Sequence, residues 1–292
     1  MQAREPAATE PARPRWLATE LGARVASAVV LVAAALIAAY AGGWLFALFW
    51  LAAGVAILAE WIGITKVEPR LRIQIVLAAA LAAMTALHLA QARLTSFALL
   101  ALGAVILGAA LARGGRDRFW SVAGFAYAAV ISLVPPIVRD RPDLGLVALL
   151  WMFAVVWATD VAAYFTGRRL GGPKLWQRVS PKKTWSGFLG GLAAGVLCGS
   201  LVHLVAGRLG WASPVSLTGV ALLSGIASIA SQGGDLAESA LKRRFDVKDS
   251  SHLIPGHGGV MDRLDGFWAV AALMGLVLVT MPGGRAGWGS AG

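Results

Sequence analysis

The chain has 292 residues, 58% of them hydrophobic and only 14% charged, with a mean hydropathy of +0.70. A soluble domain carries about a quarter charged residues, so this composition excludes an ordinary water-soluble enzyme or binding module and places the chain in a bilayer. The net charge of +11 does not point to nucleic acid, because the cations lie in short segments between apolar runs, where membrane orientation and anionic headgroups account for them.

A helix crosses a bilayer with about 20 residues, whereas lone strands would leave backbone groups unpaired in lipid. The expected fold is therefore all-α and polytopic, with about nine transmembrane helices. Residues 1–24, rich in Arg, Glu, Pro and Ala, read as a cytoplasmic tail. The first apolar run, 24–41, has a basic approach but no small-x-small cleavage site, and reads as a retained helix. Gly42-Gly43 is the expected turn into the second run, 43–60. Runs at 73–90, 94–112 and 119–137 follow, the last closed by Pro135-Pro136, since proline cannot continue the backbone ladder. The later runs are 144–166, 187–207, 215–233 and 266–282, with a short tail at 283–292. Cys198, inside the seventh run, reads as a small buried hydrophobe; a single cysteine rules out an intrachain disulfide and a cysteine-based zinc site.

Segment 25–137 reads as scaffold, and 144–282 as a catalytic core with polar loops at 167–186 and 234–265. Trp16, Trp44, Trp61 and Trp151, near helix ends, are expected to anchor at the interface. Glu60, beside Trp61, reads as an interfacial carboxylate, and His88 as a satisfied or lumen-side histidine rather than a ligand. With the N-terminus inside, all of the 26 Lys and Arg except Arg93, Arg139, Arg141, Arg208 and Arg285 fall on the inner side. That asymmetry predicts a cytoplasmic N-terminus and an outer C-terminus.

Chemistry concentrates in three places. Asp160 lies inside an apolar helix, where an acid is expensive and faces a partner, an ion or a water-filled cavity; Tyr164 shares its face. The loop Ser180-Pro181-Lys182-Lys183-Thr184 sets amines and hydroxyls just before a helix start, a cradle suited to phosphate. Its blander reading is ordinary inner-side positive charge. The densest stretch runs from Gly233 to Gly266. There Asp235, Glu238 and Lys242 share a face if the eighth helix extends, and Asp262 and Asp265 repeat the spacing at the start of the ninth. Mutual neutralisation among cations is one explanation; the sharper one is Mg²⁺, which takes carboxylate oxygens together with substrate phosphates. His257-Gly258-Gly259 adds backbone N–H groups that phosphate can approach closely, and His257, when protonated, a further donor.

This third stretch resembles the phosphatidate cytidylyltransferase (CDP-diglyceride synthase) family, whose hallmark reads S-x-L-K-R-x4-K-D, a spacer, then H-G-G-x-x-D-R-x-D. Ser239, Leu241, Lys242, Arg243, Lys248, Asp249, His257, Gly258, Gly259, Asp262, Arg263 and Asp265 match at family spacing. The D-x-x-A-Y-x-x-G-R segment from Asp160 and the S-P-K-K-T segment from Ser180 also look like the family's. One departure is Ser186, where many members carry Glu.

The resemblance implies an Mg²⁺-dependent nucleotidyltransferase of phospholipid biosynthesis that joins CTP to phosphatidate, giving CDP-diacylglycerol and pyrophosphate. Chemistry and resemblance together nominate Asp235 and Asp262 as preferred metal ligands, with Asp265 or Asp160 nearby. Lys182, Lys183, Lys242, Arg243 and Arg263 would hold phosphates, with Ser180, Thr184 and Ser239 as secondary partners. Lys248 and Asp249 pair with one another or organise the loop. A monovalent cation such as K⁺ is implied by the resemblance alone. The expected partners are CTP, phosphatidate and membrane lipids, not nucleic acid; the Gly- and Ala-rich helices suit a homodimer as readily as intrachain packing. The expected location is the cytoplasmic (inner) membrane, with the active site facing the cytoplasm. The rivals are a transporter of an anionic or phosphorylated solute driven through Asp160, and another CTP-dependent lipid enzyme.

Overall fold

The computed structural model describes residues 20–142, 144–211, 215–254 and 258–280. His257, Trp16, residues 1–19 of the expected tail and the 283–292 tail lie outside the described residues. Apolar runs become helices because a chain surrounded by hydrocarbon satisfies its backbone only through its own hydrogen bonds. In order they are α1 (Glu20–Ala41), α2 (Gly43–Thr65), α3 (Arg70–Leu89), α4 (Leu94–Leu111), α5 (Gly115–Arg139), α6 (Gly145–Leu170), α7 (Trp185–Arg208), α8 (Leu217–Arg244) and α9 (Met261–Thr280). Among the described residues eight of these, α2 to α9, are long and apolar enough to cross a membrane, and the apolar part of α1, Ser27–Ala41, is shorter. The protein is thus an all-α polytopic membrane protein.

The turn between α1 and α2 falls at Gly42, with φ of 64°. Arg139 closes it from α5, donating through Nε to Ala39 O at 2.6 Å and through Nη2 to Tyr40 O at 3.3 Å. The expectation that Pro135-Pro136 ends α5 is not met: the helix runs through both to Arg139. Proline removes the N–H but fixes a φ that the helix shares, and a buried segment has no water to which a broken turn could release its carbonyls. The helix stops one turn later, where Asp140 N donates to Pro136 O at 2.9 Å.

Helices α2, α5, α6 and α9 surround an aromatic core. Trp50 stacks on Phe267 with centroids 4.9 Å apart, Tyr127 on Trp268 at 4.4 Å, and Phe153 on Trp157 at 5.1 Å. A second apolar cluster, including Leu58, Ile62, Leu77, Leu81 and Phe125, fastens α3 and α4 to α2 and α5. Trp61 and Trp151, expected at the interface, are buried instead, because each indole finds an internal acceptor: Trp120 O at 2.9 Å and Ser224 Oγ at 2.9 Å. Trp44 is exposed. His88 Nε2 lies 2.9 Å from Asp140 Oδ2.

Helix α7 carries its small residues on one face and its large ones on the other. Gly187, Gly191, Gly195 and Gly199 are buried, whereas Leu189, Leu197, Leu201 and Leu204 are exposed toward lipid. The four-residue spacing lets α6 and α8 approach the α7 backbone directly. A Cβ at Gly195 would stand 2.7 Å from the Thr159 hydroxyl and 2.9 Å from Ser228 Cβ, breaking up the hydroxyl pair those two residues form at 2.8 Å. Gly195→Val should therefore cost about 1–3 kcal/mol. The check is the thermal midpoint in detergent, and an unshifted midpoint would contradict this packing.

The 167–186 segment, expected as a loop, holds a small antiparallel hairpin of β1 (Lys174–Trp176) and β2 (Ser180–Thr184). Lys174 faces Thr184 and Trp176 faces Ser180. Ser186 Oγ donates to the Gly171 carbonyl, and Trp185 N donates to Pro173 O at 3.1 Å, so the start of α7 is tied to the segment that leads from α6 into the hairpin. Helix α8 continues past 233 to Arg244, and α9 begins at Met261 rather than 266. Hydropathy stops where charges begin; the helices continue because those charges pair with one another.

Candidate active site

The ends of α6, α7, α8 and α9 and the hairpin enclose a cavity of about 870 Å³. Of the residues singled out from sequence, Asp160, Lys182, Lys183, Thr184, Asp235, Lys242, Asp249, Asp262, Arg263 and Asp265 line it. Ser180, Ser239, Arg243, Lys248, Gly258 and Gly259 do not, and Arg243 and Lys248 are exposed. Ser239 Oγ reaches Asp235 Oδ1 at 3.4 Å, a weak contact.

Helix periodicity builds the acidic wall. Asp235 and Glu238 are three residues apart on α8, and α9 brings Asp265 against them. One oxygen from each of the three lies within 4.8 Å of the others, a spacing that could hold a metal ion. The close approach depends on Gly234, where a Cβ would meet Asp265 O at 2.5 Å. One Glu238 oxygen, Oε2, pairs with Lys242 at 3.0 Å, while Oε1 is buried with no hydrogen-bond partner. A buried, unpaired carboxylate oxygen is costly in isolation, so the donor set fits a hard divalent cation.

Across from the acids stand the cations. Lys183, on β2, forms an ion pair with Asp235, linking the hairpin to the acidic wall. Lys182 is exposed beside it. Thr184 is buried, and its hydroxyl caps α7 by accepting from Gly187 N at 3.2 Å. Arg168 and Tyr164, at the end of α6, join the lining, with Arg168 Nη1 donating to Tyr164 Oη at 2.8 Å.

Asp262 is occupied on both oxygens. Oδ1 holds Lys242 Nζ at 2.6 Å. Oδ2 accepts from Ser250 N at 2.9 Å, Ser250 Oγ at 2.8 Å and Gly259 N at 2.8 Å. Gly258, with φ of 83°, passes so close that a Cβ would lie 2.7 Å from Oδ2. Asp262 thus closes the loop into α9 and steers Lys242 toward Glu238.

Two carboxylates were underrated by sequence reasoning. Glu238 shares a face of α8 with Asp235, and that spacing is the signal in the sequence for its place in the acidic group. Glu60 had no such signal. It is buried, with four donors from Ser250, Ser251, Val260 and Met261, 190 to 201 residues further along the chain. Pairing over that distance leaves no local pattern.

The family model described as the cytidylyltransferase family matches residues 22–281. The chain is 42% identical over 260 residues to a phosphatidate cytidylyltransferase of Brucella suis biovar 1 (strain 1330), covering 88% of this chain and 92% of the relative. It is 40% identical over 141 residues to that of Bacillus subtilis (strain 168), covering 48% of this chain and 51% of the relative. With the protein of that name from Haemophilus influenzae (strain ATCC 51907 / DSM 11121 / KW20 / Rd), identity is 43% over 166 residues, covering 52% and 57%. Together with a cavity that joins acids to cations, these matches make the chain a member of the cytidylyltransferase family, homologous to its phosphatidate cytidylyltransferases.

Proposed function

We propose that this protein is a phosphatidate cytidylyltransferase, making CDP-diacylglycerol and pyrophosphate from CTP and phosphatidate. The observation that carries the reading is the Asp235–Glu238–Asp265 group facing Lys183 and Arg263 in one cavity of a membrane protein. Two polyanionic substrates, one of them a lipid, need cations to gather them and a site reachable from the bilayer. A phosphatidate oxygen attacks the α-phosphorus of CTP, forming one P–O bond. The bond from that phosphorus to the bridging oxygen breaks, and pyrophosphate leaves with the electron pair. The nucleophile is already an anion, so positioning and charge neutralisation do most of the work.

Asp235, Glu238 and Asp265 are the proposed ligands for Mg²⁺, with Asp160 on the adjoining wall. Bound there, Mg²⁺ supplies electrophilic neutralisation of phosphate oxygens. A monovalent cation such as K⁺ remains part of the proposal on family grounds. Lys182, Lys183 and Arg263 bind phosphate oxygens, Lys242 sets the position of Glu238, and Asp262 sets that of Lys242. Catalysis belongs to segment 144–282, supported by 25–137. The crowding of Lys and Arg near this end supports a cytoplasmic N-terminus and a cytoplasm-facing site in the inner membrane.

The test is pyrophosphate release and liponucleotide formation by purified protein in detergent, with CTP, phosphatidate and Mg²⁺. CTP- and metal-dependent product is expected. Folded protein that makes none would favour a transporter of anionic solutes, and product only with another lipid acceptor would favour another CTP-dependent lipid enzyme.

A further inference from the structure

Glu60 sits near the end of α2, 100 residues before Asp160, the first residue in the chain that lines the cavity among those described. It is 7% exposed, and its two oxygens receive four hydrogen bonds. Oε1 accepts from Ser251 Oγ at 2.6 Å and Val260 N at 2.9 Å. Oε2 accepts from Met261 N at 2.8 Å and Ser250 Oγ at 3.2 Å. Val260 immediately precedes α9 and Met261 opens it, at a helix start whose first amides have no partner within the helix. A carboxylate there satisfies them and complements the positive end of the helix dipole. Glu60 is thus an N-terminal cap supplied by another helix.

The same contact reaches the reacting region. Ser250 Oγ lies within hydrogen-bonding distance of both Glu60 Oε2 and Asp262 Oδ2. Asp262 holds Lys242, and Lys242 holds Glu238. A continuous polar chain runs from α2 through Ser250, Asp262 and Lys242 to the acidic group. The fit is tight: a Cβ on Gly259 would fall 2.0 Å from Ser250 Oγ and 2.6 Å from Glu60 Oε1. We propose that Glu60 is a positioning residue for nucleotidyl transfer, fixing the start of α9 and, through Ser250 and Asp262, the place of Lys242.

The inference rests on the cytidylyltransferase reading for its kinetic consequence, but not for its structural one. Glutamine at position 60 keeps the shape and puts an NH₂ against donors on at least one side, so Glu60→Gln should loosen the loop without opening a cavity. Three readouts test it. The first is kcat for liponucleotide formation, expected to fall about 10- to 100-fold, the scale of an ångström-sized misplacement, while KM for CTP stays within about threefold. The second is a cycle with Asp262→Asn: if Glu60 acts through Asp262, the double variant is no slower than Asp262→Asn alone. The third is amide hydrogen exchange, expected to quicken at Ser250 and Gly259 to Met261 and not in α6 or α7. Glu68→Gln, an exposed acid just beyond α2, is the control and should change none of them.

Unchanged kcat, losses that multiply in the cycle, or unaltered exchange in the loop would each overturn the proposal. If Glu60→Gln does not fold, Ser251→Ala removes one of its four donors; it should slow kcat about threefold or more with faster exchange at Leu253, whose N–H donates to Ser251 Oγ, and no change in either would overturn the proposal too. A wild-type protein that makes no liponucleotide would refute the reaction, yet loop exchange would still decide whether Glu60 is the anchor.

Discussion

Asp265→Asn should lower kcat for CDP-diacylglycerol formation by about three orders of magnitude, and Asp235→Asn by a similar factor, with the helical fold retained. Each substitution keeps volume and removes one negative charge from a group whose oxygens lie within 4.8 Å of one another. Losing one preorganised charged contact in such a site costs roughly 10²- to 10³-fold, and weakened cation binding adds to it. The two sites differ in their secondary effects. Asp235 also pairs with Lys183, so its loss frees the hairpin cation. Asp265 accepts from Gly266 N at 2.7 Å, a bond that the amide oxygen of asparagine can keep. Asp265→Asn is therefore the cleaner test. Pyrophosphate release measured across a range of Mg²⁺ concentrations checks it, with circular dichroism to confirm helicity. Near-normal kcat in both variants would remove the acidic group from the mechanism while leaving the reaction itself standing.

Lys242→Met should be the most destabilising single change at the site. The lysine amine bridges Glu238 at 3.0 Å and Asp262 at 2.6 Å, with the two carboxylate side chains only 1% and 6% exposed. Methionine fills the volume but leaves the nearly buried Glu238 without its cation and Asp262 with only the loop donors on Oδ2. Breaking a buried pair by deleting one partner costs about 3–5 kcal/mol, against under about 0.5 kcal/mol for an exposed side chain with no special contact. The measurement is unfolding in detergent, with Lys242→Arg alongside to show how much charge alone restores. Activity should vanish with the methionine variant even below its unfolding transition. Wild-type stability would mean that the carboxylates neutralise one another some other way, and the polar chain from Glu60 would lose its middle link.

Gly191 and Gly195 show one limit of reading this chain by residue type. Their abundance signalled close helix packing, but only the structure decides that they face Thr159 and Ser228 rather than a second copy of the chain. The tryptophans show another. Trp61 and Trp151 sit near helix ends, as anchors do, yet each is drawn inward by a carbonyl or hydroxyl acceptor on a neighbouring helix.

Sequence alone determined the membrane class, the number of long helices to within one, and the three segments that line the cavity. Those properties depend on local quantities: twenty-odd apolar residues in a row, helical spacing between Asp235 and Glu238, and a gapped motif from Ser239 to Asp265. Tertiary structure decided which acid does what. Asp262 and Asp265 are three residues apart on one helix, yet Asp262 is saturated by Lys242 and loop donors while Asp265 turns toward Asp235 and Glu238. Glu60, far from the motif, caps the helix that carries both. A carboxylate's task is set by the donors and charges that surround it in space, and partners nearly 200 residues apart write no periodicity into the chain.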